Sequence, residues 1–219
     1  TAGVDVNMNQ NGNYLYITTG VNNIIRYDGS TTLVSYTSLT TPAAPTVAET
    51  GLAGTGYSYY YKQARVNTVG FSIASAASVV VQSAVPRESW DATTNFAVVT
   101  LASFISTQTR CDIYISENDV DYFYLTSTTM DGATFKDDGT ALKVPGTSAP
   151  TENTSQGPRV EELTNVGSRM YGVRDTNIRY RIWFSGAGQF SGAFSGAYDG
   201  GYLDWQEGGK LIPKQVKDN

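Results

Sequence analysis

The chain contains no histidine, a single cysteine, and no apolar run approaching the ~20 residues that a membrane-spanning helix requires. Each absence removes a class of chemistry. Without histidine there is no imidazole for a catalytic triad, a His-bearing zinc site or acid–base work near neutral pH. With only Cys111 there is no intrachain disulfide, and this thiol sits in the β-prone run Arg110 to Ile115, where it is expected to pack as a small apolar residue. Positive charge is also short. Lys and Arg total 15 against 20 Asp and Glu, a net charge of −5 that argues against general nucleic-acid binding. Apolar residues at three-and-four spacing never persist past two turns, so no helix is expected. The start, TAGVDVNMNQ, lacks a signal peptide's basic and apolar regions and an initiator methionine, as expected of a processed chain or a piece of a longer one.

What remains is β-structure. In Gly51 to Ser78 a glycine-broken entry leads to Tyr57, Tyr59 and Tyr61 on one face and Ser58, Tyr60 and Lys62 on the other, the period-two pattern of a strand. Asn67-Thr68-Val69-Gly70 is a turn signal, after which a second β-prone segment is expected to close a hairpin and Ala76 to Gln82 to continue as a strand. Phe96–Leu101, Arg110–Ser116, Asp121–Thr126 and Ala133–Asp138 follow as strands. From Gly51 to Gly139 that is about seven strands, the number an immunoglobulin-like sandwich needs.

The flanks differ. Tyr14–Ile17, Ile24–Tyr27 and Leu33–Tyr36 form an antiparallel meander of three strands, where a propeller blade needs about four. After Pro145, Pro150 and Pro158, β-patterning resumes at Arg169–Val173 and Ile178–Phe184, with Tyr180, Ile182 and Phe184 on one face, then a glycine-rich passage and Leu203-Asp204-Trp205. Pro42 and Pro45 mark the other boundary. The expected organisation is residues 1–41, 42–150 and 151–219, the outer two packing together around an inserted module.

YSYYYKQARVNTVGFSIASAAS, then RCDIYISENDVDYFYLTST, then ATFKDDG resemble the fibronectin type III-like modules of bacteriophage virion proteins. LYITTGVNNIIRYDG and VGSRMYGVRDTNIRYRIWFSGAG are similar to propeller-type strands of phage neck and tail proteins. The resemblance implies an all-β protein, a fibronectin III-like sandwich inserted into a propeller-like antiparallel domain. It implies a non-enzymatic structural component of a tailed-phage virion, at the neck or tail nozzle or hub. Its partners would be copies of itself in a ring and other virion tail or neck proteins. The sandwich would project, DNA would pass an acidic channel wall without specific binding, and no membrane or cofactor would be involved.

Candidate sites are few. Arg159, Arg169, Arg174, Arg179 and Arg181 fall in one window and could grip a neighbouring subunit. Alternation instead places Arg179 and Arg181 on a solvated face opposite Tyr180 and Ile182. Trp90 and Trp205, with fifteen tyrosines, raise the alternative of a carbohydrate-binding or adhesin platform, against core roles for the same rings. Glu161-Glu162 or Asp91 could supply carboxylates for glycoside hydrolysis, but nothing sets their separation. The acidic turns Asp28-Gly29, Asp119-Val120-Asp121, Asp131-Gly132 and Asp137-Asp138-Gly139 match no calcium loop, and turn chemistry accounts for them. No catalytic, metal or cofactor residue is assigned.

Overall fold

A computed structural model describes residues 5–30, 33–35, 38–67, 70–129, 133–176, 178–186 and 201–204. Among them the regular structure is antiparallel β, apart from one 3-10 turn, and no helix is long and apolar enough to cross a membrane. The chain divides into two compact units. One comprises Thr1–Ser38, Thr68–Gly70 and Thr154–Asn219; the other comprises Leu39–Asn67 and Phe71–Asn153. The divisions fall near the proline-marked boundaries expected at 42 and 150.

The first unit opens with strands β1 (Asn7–Asn11), β2 (Tyr14–Thr18), β3 (Ile25–Tyr27) and β4 (Leu33–Ser35), paired in consecutive order. Strand β1 was not anticipated, because NMNQN alternates amides rather than apolar residues. A two-residue loop joins it to β2, with Gly12 at φ 58°, the left-handed conformation such a hairpin selects.

The second unit contains β5 (Thr46–Thr50), β6 (Tyr57–Val66), β7 (Val81–Ser83), a 3-10 turn (Arg87–Ser89), β8 (Phe96–Thr100), β9 (Arg110–Ser116), β10 (Phe123–Thr129), β11 (Thr134–Asp137) and β12 (Val144–Ser148). These form a five-stranded sheet, β12-β10-β9-β6-β7, and a three-stranded sheet, β11-β8-β5. Tyr59, Tyr61, Cys111, Ile113 and Ile115 of the larger sheet share one core with Ala97 and Val99 of the smaller, flanked by Val47 and Phe135. Alternation separates the rings: Tyr59 and Tyr61 enter this core, while Tyr60 lies on the other face with Tyr114, Tyr122 and Tyr124.

The expected hairpin partner of β6 takes a different form. Thr68 and Val69 lie outside the described residues; beyond them Phe71 makes a single bridge to Val66, and the returning chain forms no strand until Val81. Instead it presents a serine every third residue. Ser72, Ser75 and Ser78 each donate a backbone N–H to the carbonyls of Arg65, Gln63 and Tyr61, all at 2.8 Å. Each hydroxyl accepts the N–H of the same strand residue, at 3.0, 3.1 and 3.1 Å respectively. Three residues here span two of β6, ~7 Å of strand, so this segment is too compressed to pair as a strand. The hydroxyls supply the acceptors that its own carbonyls cannot, and β6 keeps no unpaired edge there.

The chain then returns to the first unit as β13 (Val160–Val166), β14 (Arg169–Asp175), β15 (Arg181–Phe184) and β16 (Gly201–Asp204), again in consecutive order. Most of the glycine-rich passage, residues 187–200, lies outside the described residues, as does the Asp131-Gly132 turn. The two meanders share a core of Tyr16, Ile24, Val160, Leu163, Met170 and Trp183. The face assignment expected for β15 is inverted. Arg181 and Trp183 point inward, 3% and 5% exposed, while Tyr180 is exposed. Arg181 can enter because its guanidinium lies 3.5 Å from the Tyr202 ring centroid and 5.3 Å from that of Trp183.

Candidate functional site

A cleft of about 590 Å³ lies in the first unit, lined by residues including Asn7, Thr19, Glu161, Glu162, Arg174 and Thr176. Its geometry originates in one residue. Arg174 has φ 60°, a left-handed conformation that costs a non-glycine residue roughly 1 kcal/mol. Val160 pairs with Asp175 and Glu162 with Val173, while Glu161 and Arg174 drop out of the ladder between them. This irregularity brings two consecutive carboxylates to one guanidinium: Arg174 pairs with Glu161 and, at 3.0 Å, with Glu162. Arg179 lies 3.8 Å from Glu161 as well. The two carboxylates thus face the same cation. They suit an electrostatic clamp across the strand irregularity better than a general acid set opposite a nucleophile.

At the seam beside this cleft, asparagine side chains join the meanders. Leu163 donates its N–H to Asn7 Oδ1 at 3.2 Å, and Asn9 Nδ2 donates to the Leu163 carbonyl at 3.2 Å. Asn165 Nδ2 donates to the Gln10 carbonyl at 2.6 Å, and Asn11 Nδ2 to Asn165 Oδ1 at 3.3 Å. Amides at every second position of β1 replace the ladder a neighbouring strand would supply. The signal was visible as N-x-N-x-N, but an amide repeat does not reveal its partner.

The five arginines do not form one patch. Arg159 Nε donates to Asn23 Oδ1 at 3.0 Å, and Arg169 donates to the Ser185 carbonyl at 2.8 Å beside the Phe184 ring. Arg174 and Arg179 serve Glu161 and Glu162, and Arg181 is buried. Trp90 packs in the core of the second unit, 6% exposed, edge-on to Tyr59 at 5.0 Å with its indole N–H on Ser83 Oγ. Its faces are covered, which removes it as a stacking platform for a sugar. Trp205 lies outside the described residues.

Asp91 accepts from the backbone and hydroxyls of Thr93 and Thr94, and these bonds hold its carboxyl well below the usual range. Asp28 and Asp138 do the same for Ser30 and Thr140, and both are lowered by those bonds. Among the described residues no grouping of His, Cys, Asp or Glu could hold a metal ion. No protein-family model matches the chain, and no curated protein matches its sequence.

Proposed function

We propose that the protein is a structural, assembly-forming component of a tailed-phage virion, at the neck or tail, in which a two-bladed propeller segment carries an inserted fibronectin III-like sandwich. The observation that carries this reading is the chain path. The first unit is interrupted after its first meander by the second unit, and the chain then lays β13 beside β1 and β2 to complete a shared core. Consecutive-order, four-stranded antiparallel meanders have the connectivity of propeller blades.

The sandwich reading draws on neighbour order. β5-β8-β11 corresponds to A-B-E and β7-β6-β9-β10 to G-F-C-C′ of an immunoglobulin-type sandwich, with β12 added beside β10. The chain visits them as A, F, G, B, C, C′, E, so the F–G pair comes before B. That order accounts for why the tyrosine-rich strand precedes the Ile-Tyr-x-Ser strand here.

The acidic balance fits a wall that DNA passes without sticking, since fixed positive charge would hold phosphates. The carbohydrate-platform alternative draws no support from Trp90, which is core. Electron microscopy of the purified protein, with mass spectrometry of particles, tests the proposal. Rings and presence in particles are the expected result; a stable monomer absent from particles overturns it.

A further inference from the structure

Residues directly opposite one another in an antiparallel pair share a face. In the first meander Met8 pairs with Ile17 and Ile17 with Ile25, while Leu15 pairs with Tyr27. These five therefore share the face turned away from the core built on Tyr16 and Ile24. Met8 is 60% exposed and the other four are half-buried. In the second meander Tyr171 pairs with Phe184 and Ile182 with Leu203, and Val173 lies on the same face, again opposite the shared core. Leu203 is 61% exposed and the rest are half-buried. Gly201 lies beneath Phe184, whose ring atoms sit 3.3 Å from where a Cβ would stand. Each meander thus carries apolar side chains on both faces, one face spent on its neighbour and the other turned outward, with Arg169 over the Phe184 ring on the second.

We infer that the open face of the first meander docks on the open face of the second meander in another copy of this chain, head to tail, so that blades from several chains close one ring. The inference rests on the assembly reading above and names its contact. Several observations choose this occupant. The two open faces differ, the first carrying Met8 among aliphatics and one ring, Tyr27, the second carrying two rings, Tyr171 and Phe184, on which a methionine sulfur packs well. The first face carries no charge among its described residues, whereas on the second Glu162 lies opposite Val173 and Arg169 shares the side of Tyr171. The first unit already joins two such meanders through their inner faces, so the new contact continues an existing stack.

Area favours closure over a simple pair. Four strands ~4.8 Å apart and about five residues long present ~300 Å² per face, so one contact buries ~600 Å². That is about half of what a specific pairwise interface needs. A ring in which every chain uses both faces supplies the second contact without further loss of freedom, because a head-to-tail contact closes when its rotation allows. With two blades per chain and propellers of about four to eight blades, the ring holds about two to four copies.

The test uses Met8→Glu and Leu203→Glu, both at exposed positions, with circular dichroism and thermal melting confirming that each variant folds. Light scattering and native mass spectrometry then read assembly. Wild type is expected to form closed oligomers, and each variant alone monomers, since every contact would contain one damaged face. Mixing the two is expected to give no closed ring, because a mixed pair can make only one intact contact and that contact is too small to hold alone. A Leu203→Glu variant that still assembles overturns the inference, as does a ring that survives both substitutions, and either result leaves the ring reading standing. Wild-type protein that stays monomeric overturns both, whether the faces are bare or covered by another part of the same polypeptide.

Discussion

Arg87 and Asp137, fifty residues apart, meet as a buried two-pronged ion pair, 4% and 0% exposed, with Arg87 Nε 2.9 Å and Nη2 2.6 Å from the carboxylate oxygens. Around it Tyr61 donates its phenol to Asp137 at 2.8 Å, Gly139 its N–H at 3.1 Å, and Arg87 a further bond to the Ala141 carbonyl at 2.7 Å. Burial, reinforced by the Asp137 charge, raises the Tyr61 phenol well above its usual value and keeps it a donor. The pair fastens the 3-10 turn to the end of β11. Asp137 is therefore more than the turn residue its Asp-Asp-Gly context indicates.

Breaking this pair from one side strands a charge. Asp137→Asn is expected to lower unfolding free energy by about 3–5 kcal/mol, whereas replacing both members with apolar residues of similar volume costs much less. Urea denaturation of the single and double variants checks this. Equal losses in both would show that packing, and not the stranded guanidinium, sets the cost.

The serine ladder makes a position-specific prediction. Ser75→Ala removes the acceptor of the Gln63 N–H and is expected to cost about 1–3 kcal/mol. Ala76→Ser, one residue along at an exposed position, is expected to cost nearly nothing. Hydrogen exchange of the Gln63 amide provides a local readout, faster in Ser75→Ala and unchanged in Ala76→Ser.

Asp112 predicts a pH dependence. Burial raises its carboxyl above the usual value, and the hydrogen bonds and charge of Arg110 only partly offset this. The folded state thus keeps the proton to higher pH than the unfolded chain. Stability attributable to this group is fully present below the ordinary carboxylate pKa and declines as pH rises through the raised one. Asp112→Asn is expected to be more stable than wild type near neutral pH and to converge with it below pH ~4, where both side chains are neutral. A difference that does not change with pH would contradict this.

Cys111 should be silent in the native protein. It is 1% exposed, its thiol donates toward Gln63 Oε1 at 3.4 Å, and burial pushes its pKa up to about 12. Thiol reagents at pH 8 are expected to label it only as fast as the chain opens, with full labelling in denaturant. Rapid native labelling would place this strand at the surface.

Legibility followed locality. Most strands were readable because period-two patterning is a property of neighbouring residues, as in Tyr57 to Tyr61. β1 is not legible because its amides alternate toward a partner more than 150 positions away in sequence, and the serine ladder is not because a period of three belongs to neither strand nor helix. The five arginines group in sequence, yet their partners scatter them.

Sequence alone determines that this chain is β-structured, that it holds no histidine and no pair of cysteines to bridge, and that a proline-bounded module divides it, since these depend on composition and local pattern. Tertiary structure alone decides which side of an alternating strand is inside. In β15 alternation separates Arg181 and Trp183 from Ile182 but is silent about which set faces the core. Arginine goes inward there because Tyr202, from another strand, supplies a ring for its guanidinium to lie against.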